Sequence, residues 1–395
     1  MSDPKPYIIV LYNHVGEDVY EKLKDVDPAS LDFKPEYDIK VTTVLEEYNA
    51  VVRGLRHLGY RTRGVNIAED VRKLERVLKR SKPDVVFNLV EHFRDDPELE
   101  THVAAMFEVY GVAYTGAPPF ALSLCQKKGL TKDVLAGAGV PTPRFRKTYD
   151  ADIGEDHGLR YPIIVKPARE DASSGVEQGS VVKDFDSLKK RVAYVLDEWG
   201  GPVLVEEFID GKELHVGVLG NDPPEVLPPI EWDFSELPDD YPPLISYAAK
   251  WNPLAEVYHK VHSVCPARIS DEMLARVEEV AVRAFEVTEC RDYARLDIRI
   301  GPDDVPYVLE VNPNPDLTDG VSFMEAADIA GYEFEETLSA IVEYALERKA
   351  TTPPKITSES PLKTGLDPSN ITPKESSAEN TQNRPGPNIE PSGHA

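Results

Sequence analysis

Residues 294–312 read ARLDIRI (294–300), GPDDVP (301–306) and YVLEVN (307–312). In the first segment Leu296, Ile298 and Ile300 alternate with Arg295, Asp297 and Arg299; in the second Tyr307, Leu309 and Val311 alternate with Val308, Glu310 and Asn312. A period of two marks a strand with one buried face. The link between them has a turn's composition, so the two pair as a hairpin. If Ile300 faces Tyr307, then Arg299 faces Val308, Asp297 faces Glu310 and Arg295 faces Asn312. One face is then apolar, and the other sets two carboxylates opposite one another, a repulsion that a cation would relieve. Asp297, Glu310 and Asn312 offer hard oxygen ligands of the kind magnesium takes when it shares its shell with phosphate oxygens and water. The competing reading is an exposed face whose acids are balanced by Arg295 and Arg299.

Two stretches upstream carry related chemistry. YPIIVKP (161–167) ends an apolar strand on Lys166, and the small-residue loop REDASSGVEQGS (169–180) follows. A lysine beside a Ser/Gly loop can hold phosphate through its ammonium and through backbone N–H groups. VLVEEFIDGKELHVGVLG (203–220) reads as strand, Asp-Gly turn and strand, with Glu206 and Glu207 closing the first and Glu213 opening the second. Such carboxylates can serve acid–base chemistry or accept from an amino group and a ribose. No GxxxxGK[ST] occurs, and no GxGxxG follows the first strand, so neither a Walker-type loop nor a dinucleotide fingerprint is present. His259, His262 and Cys265 have an HxxHxxC spacing that zinc can use, but no fourth ligand accompanies them.

The amino-terminal part alternates strands and helices. YIIVLY (7–12) and DVVFNLV (84–90) are apolar strands; residues 41–58, 71–80 and 98–110 carry apolar side chains at helical spacing, and Gly59 stops the first. This rhythm predicts a parallel α/β domain over 1–120, with 13–40 as an insertion of no period. Glu91, His92 and Arg94 follow the second strand, where α/β domains place ligand groups, and are candidate substrate contacts. VPTPRF (140–145) is a Pro-punctuated linker. Strands at 162–166, 179–183, 203–208 and 213–219, with helices at 127–138, 185–198 and 271–287, predict two α+β subdomains over 121–202 and 203–350. Residues 351–395 hold eight Pro and no Phe, Trp or Tyr, a composition that predicts a disordered tail.

Composition bounds the function. The chain has 395 residues, enough for two or three domains, and 41% are hydrophobic, enough for a core. Three cysteines suit a reducing cytoplasm better than a disulfide scaffold. No apolar run reaches the ~18 residues of a membrane span. A net charge of −26 repels a phosphate backbone, so nucleic acid is a poor partner and a small anion needs lysines gathered at its site.

Taken in this order, Lys-bearing strand and loop, EEF.xGxE, a further lysine loop, then RxD and ExN, the motifs resemble the ATP-grasp enzymes, and most closely the D-alanine–D-alanine ligase branch. The resemblance spans about 80–346. It implies an α/β domain before two α+β halves that grip ATP, two magnesium ions (manganese as a substitute), amino-acid or peptide substrates, a cytoplasmic location and a homodimer. It implies phosphate contacts at Lys128, Lys166 and Lys250, and a phosphate-covering loop at Ser173, Ser174 and Gly175. Adenine would lie at Glu206, Glu207 and Ile209, and ribose at Glu213. The metal ligands would be Asp297, Glu310 and Asn312, with Arg295 beside the transferring phosphate. The substrate elements depart from the family pattern. The GG.S.E element has no counterpart in NHVGEDVY (13–20). Asp316 replaces a glycine whose N–H joins the oxyanion site, and Ser322 stands beside the position of the serine that receives the second substrate. A ligase acting through an acyl phosphate, with an altered pocket, is therefore expected. The rivals are an ATP-grasp kinase, which needs a basic acceptor pocket, and a non-catalytic ATP-binding module, which would lack some of these ligands.

Overall fold

The computed structural model describes residues 5–170 and 172–351; the predicted tail, at 351–395, lies outside them apart from Thr351. In chain order the elements are β1 (Tyr7–Tyr12), α1 (Val44–His57), β2 (Arg61–Asn66), α2 (Val71–Ser81), β3 (Val85–Leu89), α3 (Glu100–Tyr110) and β4 (Ala113–Tyr114). There follow α4 (Pro119–Cys125), α5 (Lys128–Gly137), β5 (Phe145–Thr148), β6 (Ile163–Pro167), β7 (Val181–Val182), α6 (Phe185–Trp199) and β8 (Val203–Glu207). The last are β9 (Lys212–Leu219), β10 (Glu225–Val226), β11 (Ile230–Asp233), α7 (Tyr247–Trp251), β12 (His262–Val264), α8 (Asp271–Val287), β13 (Tyr293–Ile300), β14 (Pro306–Asn312), α9 (Phe323–Ile329) and α10 (Phe334–Thr351).

The first sheet has order β2-β1-β3-β4 and is parallel throughout. β1 is apolar on both faces because both are covered. Ile9 and Leu11 pack with Leu74, Leu78 and Phe107, whereas Ile8 and Val10 pack with Val52, Leu55, Leu338 and Ile341. α10 thus returns from the end of the described chain to close the amino-terminal sheet. The edge strand β2, RTRGVN, carries charges along its exposed face and shows no apolar alternation, so periodicity alone misses it.

The second sheet, β5-β8-β6-β7, is antiparallel and has its own core, where Val165, Val203 and Val205 meet Leu188, Val192 and Val195 of α6. The third, β12-β11-β9-β13-β14 with β10 on β9, is also antiparallel. β8 lies inside the second sheet between β5 and β6, so a boundary drawn before Val203 falls too early. The Asp210–Gly211 turn does not close a hairpin; it carries the chain from the second sheet to the third. PRF (143–145) leads straight into β5, the edge strand beside β8, and is more than linker. α8 matches its predicted span, with Ser270 accepting from the Met273 N–H as its cap.

Candidate active site

The hairpin β13–β14 forms, and its functional half has the predicted register: Arg295 faces Asn312 and Asp297 faces Glu310. Beyond Asp297 a bulge shifts the pairing, so Ile298 faces Val308, Arg299 faces Tyr307 and Ile300 faces Pro306. Leu309 is the extra residue. Val308 goes to the core, and Leu309 turns to the cleft beside Glu310. The bulge is held by the preceding linker: the Val308 N–H donates to the Pro141 carbonyl (2.9 Å) and the Thr142 hydroxyl to the Val308 carbonyl (2.8 Å). A uniform alternation cannot reveal an added residue, so Leu309 and Val308 lie on the faces opposite to those that alternation predicts.

Each carboxylate of the opposed pair has its own cation. Lys128 Nζ lies 2.5 Å from Glu310 Oε2. Arg295 grips Asp297 through Nε (2.7 Å) and Nη2 (3.1 Å). Burial pushes both acids up. For Glu310 the charges of Lys128 and Lys166 outweigh it and hold the carboxyl well below its ordinary range. For Asp297 burial, reinforced by Glu310, outweighs Arg295 and leaves the carboxyl raised. The buried Asn312 Nδ2 has no hydrogen-bond partner among the described residues. Two facing carboxylates fit a hard divalent cation, and Asn312, across from Arg295 on the same hairpin, could add its amide oxygen.

The neighbouring cleft encloses about 720 Å³ counting its open mouth, and Lys128, Lys166, Ser173, Ser174, Ile209 and Leu309 are among its walls. Lys166 Nζ reaches Glu206 Oε1 at 2.9 Å, and Lys132 Nζ reaches the other oxygen at 2.9 Å. Burial would raise Glu206, but these two cations hold it ionised below its ordinary value. Glu206 and Glu207 do not form a carboxylate pair. Successive strand residues point to opposite faces, and Glu207 turns to Arg160 (2.8 Å) and Arg144 (3.5 Å). Glu213 is buried, which pushes its carboxyl up to about 7 despite Arg299 at 3.3 Å. Arg299 also donates to the carbonyls of Gly211 and Pro243 (both 2.8 Å) and lies 4.5 Å from the Phe208 ring centre.

The Ser loop is anchored by α7. The Trp251 indole N–H donates to the Ala172 carbonyl (2.8 Å) and the Tyr247 N–H to the Val176 carbonyl (2.9 Å). Ala172 and Ser173 both have positive φ (49° and 65°). The same helix carries Lys250. Burial lowers the Lys250 ammonium, and Arg295 lowers it further.

Asp316 Oδ1 accepts from the Thr318 N–H (2.8 Å) and hydroxyl (2.7 Å). Ser322, at φ 37°, shares a hydrogen bond of 2.9 Å with His215 Nδ1. His215 is buried, faces Asp297 at 3.6 Å, and is driven well below its ordinary range by burial and by Arg295. Burial together with Asp316 raises Glu47 to about 7. Burial raises the half-buried Tyr48 hydroxyl, and the charges of Glu91, Glu47 and Asp316 raise it further. The His92 backbone N–H donates to Glu100 Oε1 (2.7 Å). His259, His262 and Cys265 do not converge: His259 binds backbone through both ring nitrogens, and Cys265 points to the Pro228 carbonyl.

Sequence reasoning missed Lys132, His215 and Glu47. Lys132 is one helical turn from Lys128 and His215 two strand positions from Glu213, so helix and strand periods could have found them. Nothing in the sequence marks Glu47.

Two carboxylate-bearing strands beside a lysine-lined cleft, gripped between two antiparallel sheets, define an ATP-grasp enzyme. The family model for the D-Ala–D-Ala ligase C-terminus matches residues 134–343. A Sinorhizobium fredii protein, known as uncharacterized protein y4sG, is 34% identical over 312 residues, 76% of this chain and 87% of that one. The D-alanine–D-alanine ligase of Moorella thermoacetica is 30% identical over 77% of this chain and 94% of its own. Among solved structures, the ATP complex of D-alanine–D-alanine ligase from Bacillus anthracis superposes with a TM-score of 0.64 at 20% identity, over 87% of this chain and 99% of that one. The VanG D-Ala:D-Ser ligase of Enterococcus faecalis superposes with a TM-score of 0.62 at 19% identity, over 86% and 99% of the two chains. The chain belongs to the D-alanine–D-alanine ligase family and is an ATP-dependent ligase that forms C–N bonds. No helix among the described residues is long and apolar enough to cross a membrane.

Proposed function

We propose that the protein joins the carboxylate of one amino acid or peptide to the amine of another through an acyl phosphate. The observation that carries this reading is the facing pair Asp297 and Glu310, each with its own cation, on a cleft that also presents Lys166.

ATP transfers its γ-phosphoryl group to the substrate carboxylate: a carboxyl oxygen–phosphorus bond forms, and the bond from the γ-phosphorus to the bridging oxygen breaks as ADP leaves. This sets anion against anion, so positioning and charge neutralisation dominate the barrier. Lys128, Lys166 and Lys250 draw charge from the phosphate oxygens, and the Ser173–Ser174 loop covers them. Glu206, the backbone at Glu207 and Ile209 hold the adenine, and Glu213 the ribose. The N–H groups of Arg295 not used on Asp297 face the transferring phosphate. The amine then attacks the acyl carbon, Arg295 steadies the oxyanion, and phosphate departs. Asp297, Glu310 and Asn312 would hold magnesium, two ions or manganese in their place, which supplies positive charge to the phosphate oxygens.

The residues between Arg295 and α1 set the substrates. Glu47, Glu91 and Asp316 make this side acidic, so an acceptor carrying extra positive charge fits better than a neutral one. Ser322 lies at its edge. A cytoplasmic homodimer completes the reading, with sedimentation as its check. The deciding experiment incubates the protein with ATP, magnesium and pools of D- and L-amino acids and dipeptides, following phosphate release and product masses. A condensed product is expected; a phosphorylated acceptor, or nucleotide binding without turnover, would refute the proposal.

A further inference from the structure

Lys132 is a lysine with 1% of its surface exposed, and the mechanism above does not use it. A buried ammonium is costly unless it is paired and hydrogen-bonded. Lys132 sits one turn after Lys128 on α5. From this one helix face Lys128 reaches Glu310 in the third sheet, and Lys132 reaches Glu206 in the second. Beside this ion pair, Lys132 Nζ donates its hydrogen bond to the Thr142 hydroxyl at 3.0 Å, and that hydroxyl donates to the Val308 carbonyl at the bulge.

Glu206 therefore faces two buried ammonium groups, Lys166 on Oε1 and Lys132 on Oε2. One carboxylate cannot neutralise both. The two lysines are not equivalent. Lys166 is part of the cleft wall and its side chain is 11% exposed; Lys132 is not part of that wall and its side chain is 1% exposed. An anion in the cleft can reach the first and not the second.

We propose that Lys132 is the fixed counter-ion of Glu206, a positioning residue that lets Lys166 leave this carboxylate for a nucleotide phosphate. The inference rests on the reading of Lys166 as a phosphate contact. Without Lys132, moving Lys166 to phosphate strands a buried carboxylate, and binding of any phosphate-bearing nucleotide must bear that cost. Adenosine, which makes no demand on Lys166, escapes it.

Calorimetric titration of ATP, ADP and adenosine into wild type, Lys132→Met, Glu206→Gln and the double variant tests this. Lys132→Met is expected to weaken ATP and ADP by about tenfold or more and adenosine by less than about threefold. On the Glu206→Gln background, where no carboxylate is stranded, the same substitution should change ATP affinity by less than about threefold. Equal losses for ATP and adenosine, or an undiminished loss in the double variant, would overturn the counter-ion role and leave only packing. Should Lys132→Met not fold, Thr142→Val must show the same bias of ATP over adenosine at smaller size, and an unbiased result there overturns the proposal. Wild type that binds no ATP would instead sink the nucleotide reading beneath it.

Discussion

Lys128→Met tests whether the facing acids of the hairpin require positive charge. The substitution keeps an unbranched chain of similar length but removes the cation 2.5 Å from Glu310 Oε2, leaving that carboxylate opposite Asp297. Breaking a fully buried ion pair by removing one partner costs about 3–5 kcal/mol. Here the side chains are 10% and 21% exposed, and Lys166 also acts on Glu310. The expected loss is therefore about 2–3 kcal/mol. Because this cost is Coulombic, magnesium should restore most of it. The assay is urea unfolding near neutral pH in chelator and in excess magnesium, for wild type and variant. The sign of the pH effect follows from the depressed carboxyl. Glu310 contributes stability above its unfolded value, lost as the pH falls through its folded one. The variant lacks much of that contribution, so acid should narrow the gap to wild type. A variant as stable as wild type in chelator, or one equally weakened with and without magnesium, would refute the argument.

Three further outcomes are expected. Arg295→Met should lower the rate of ATP-dependent phosphate release by about 10²–10³, as loss of one transition-state contact does; a loss under tenfold would remove Arg295 from the reacting centre. At Gly211 an added Cβ would lie 2.0 Å from the Ile300 carbonyl oxygen, so Gly211→Ala must shift the chain between the two sheets; a destabilisation of about 2 kcal/mol or more by urea unfolding is expected. Glu213 is raised to about 7 in the fold, so its contribution is fully present below the unfolded value and lost as the pH rises through about 7. From about pH 4, below the unfolded value, to mildly alkaline pH the nucleotide-free wild type should lose about 3 kcal/mol relative to Glu213→Gln, and parallel stability profiles of the two proteins would contradict the buried acid.

Much of the proposed nucleotide side was legible because strand and helix periods put chemistry on one face. Arg295, Asp297, Glu310 and Asn312 share a face by alternation alone, and their mutual register is found as predicted. The same logic failed where the chain breaks its own period. Leu309 reaches the cleft only because a bulge inserts it, and the bulge depends on Pro141 and Thr142, more than 160 residues earlier in the chain. Glu206 and Glu207 look like a pair in sequence, yet the pleat sends one to Lys132 and Lys166 and the other to Arg160. The proposed substrate side was least legible, since Glu47, Glu91 and Asp316 come from a helix start and two loops with no common period.

Local periodicity and turn chemistry suffice for the order of α/β and α+β parts, the acidic hairpin and the lysine-bearing strand before a small-residue loop. Which cation meets which carboxylate, the place of β8 in the smaller sheet and the closure of the amino-terminal sheet by α10 arise only when the chain folds. Those pairings join residues far apart in the chain, and burial and Coulombic attraction act on distance in space, which no local pattern encodes.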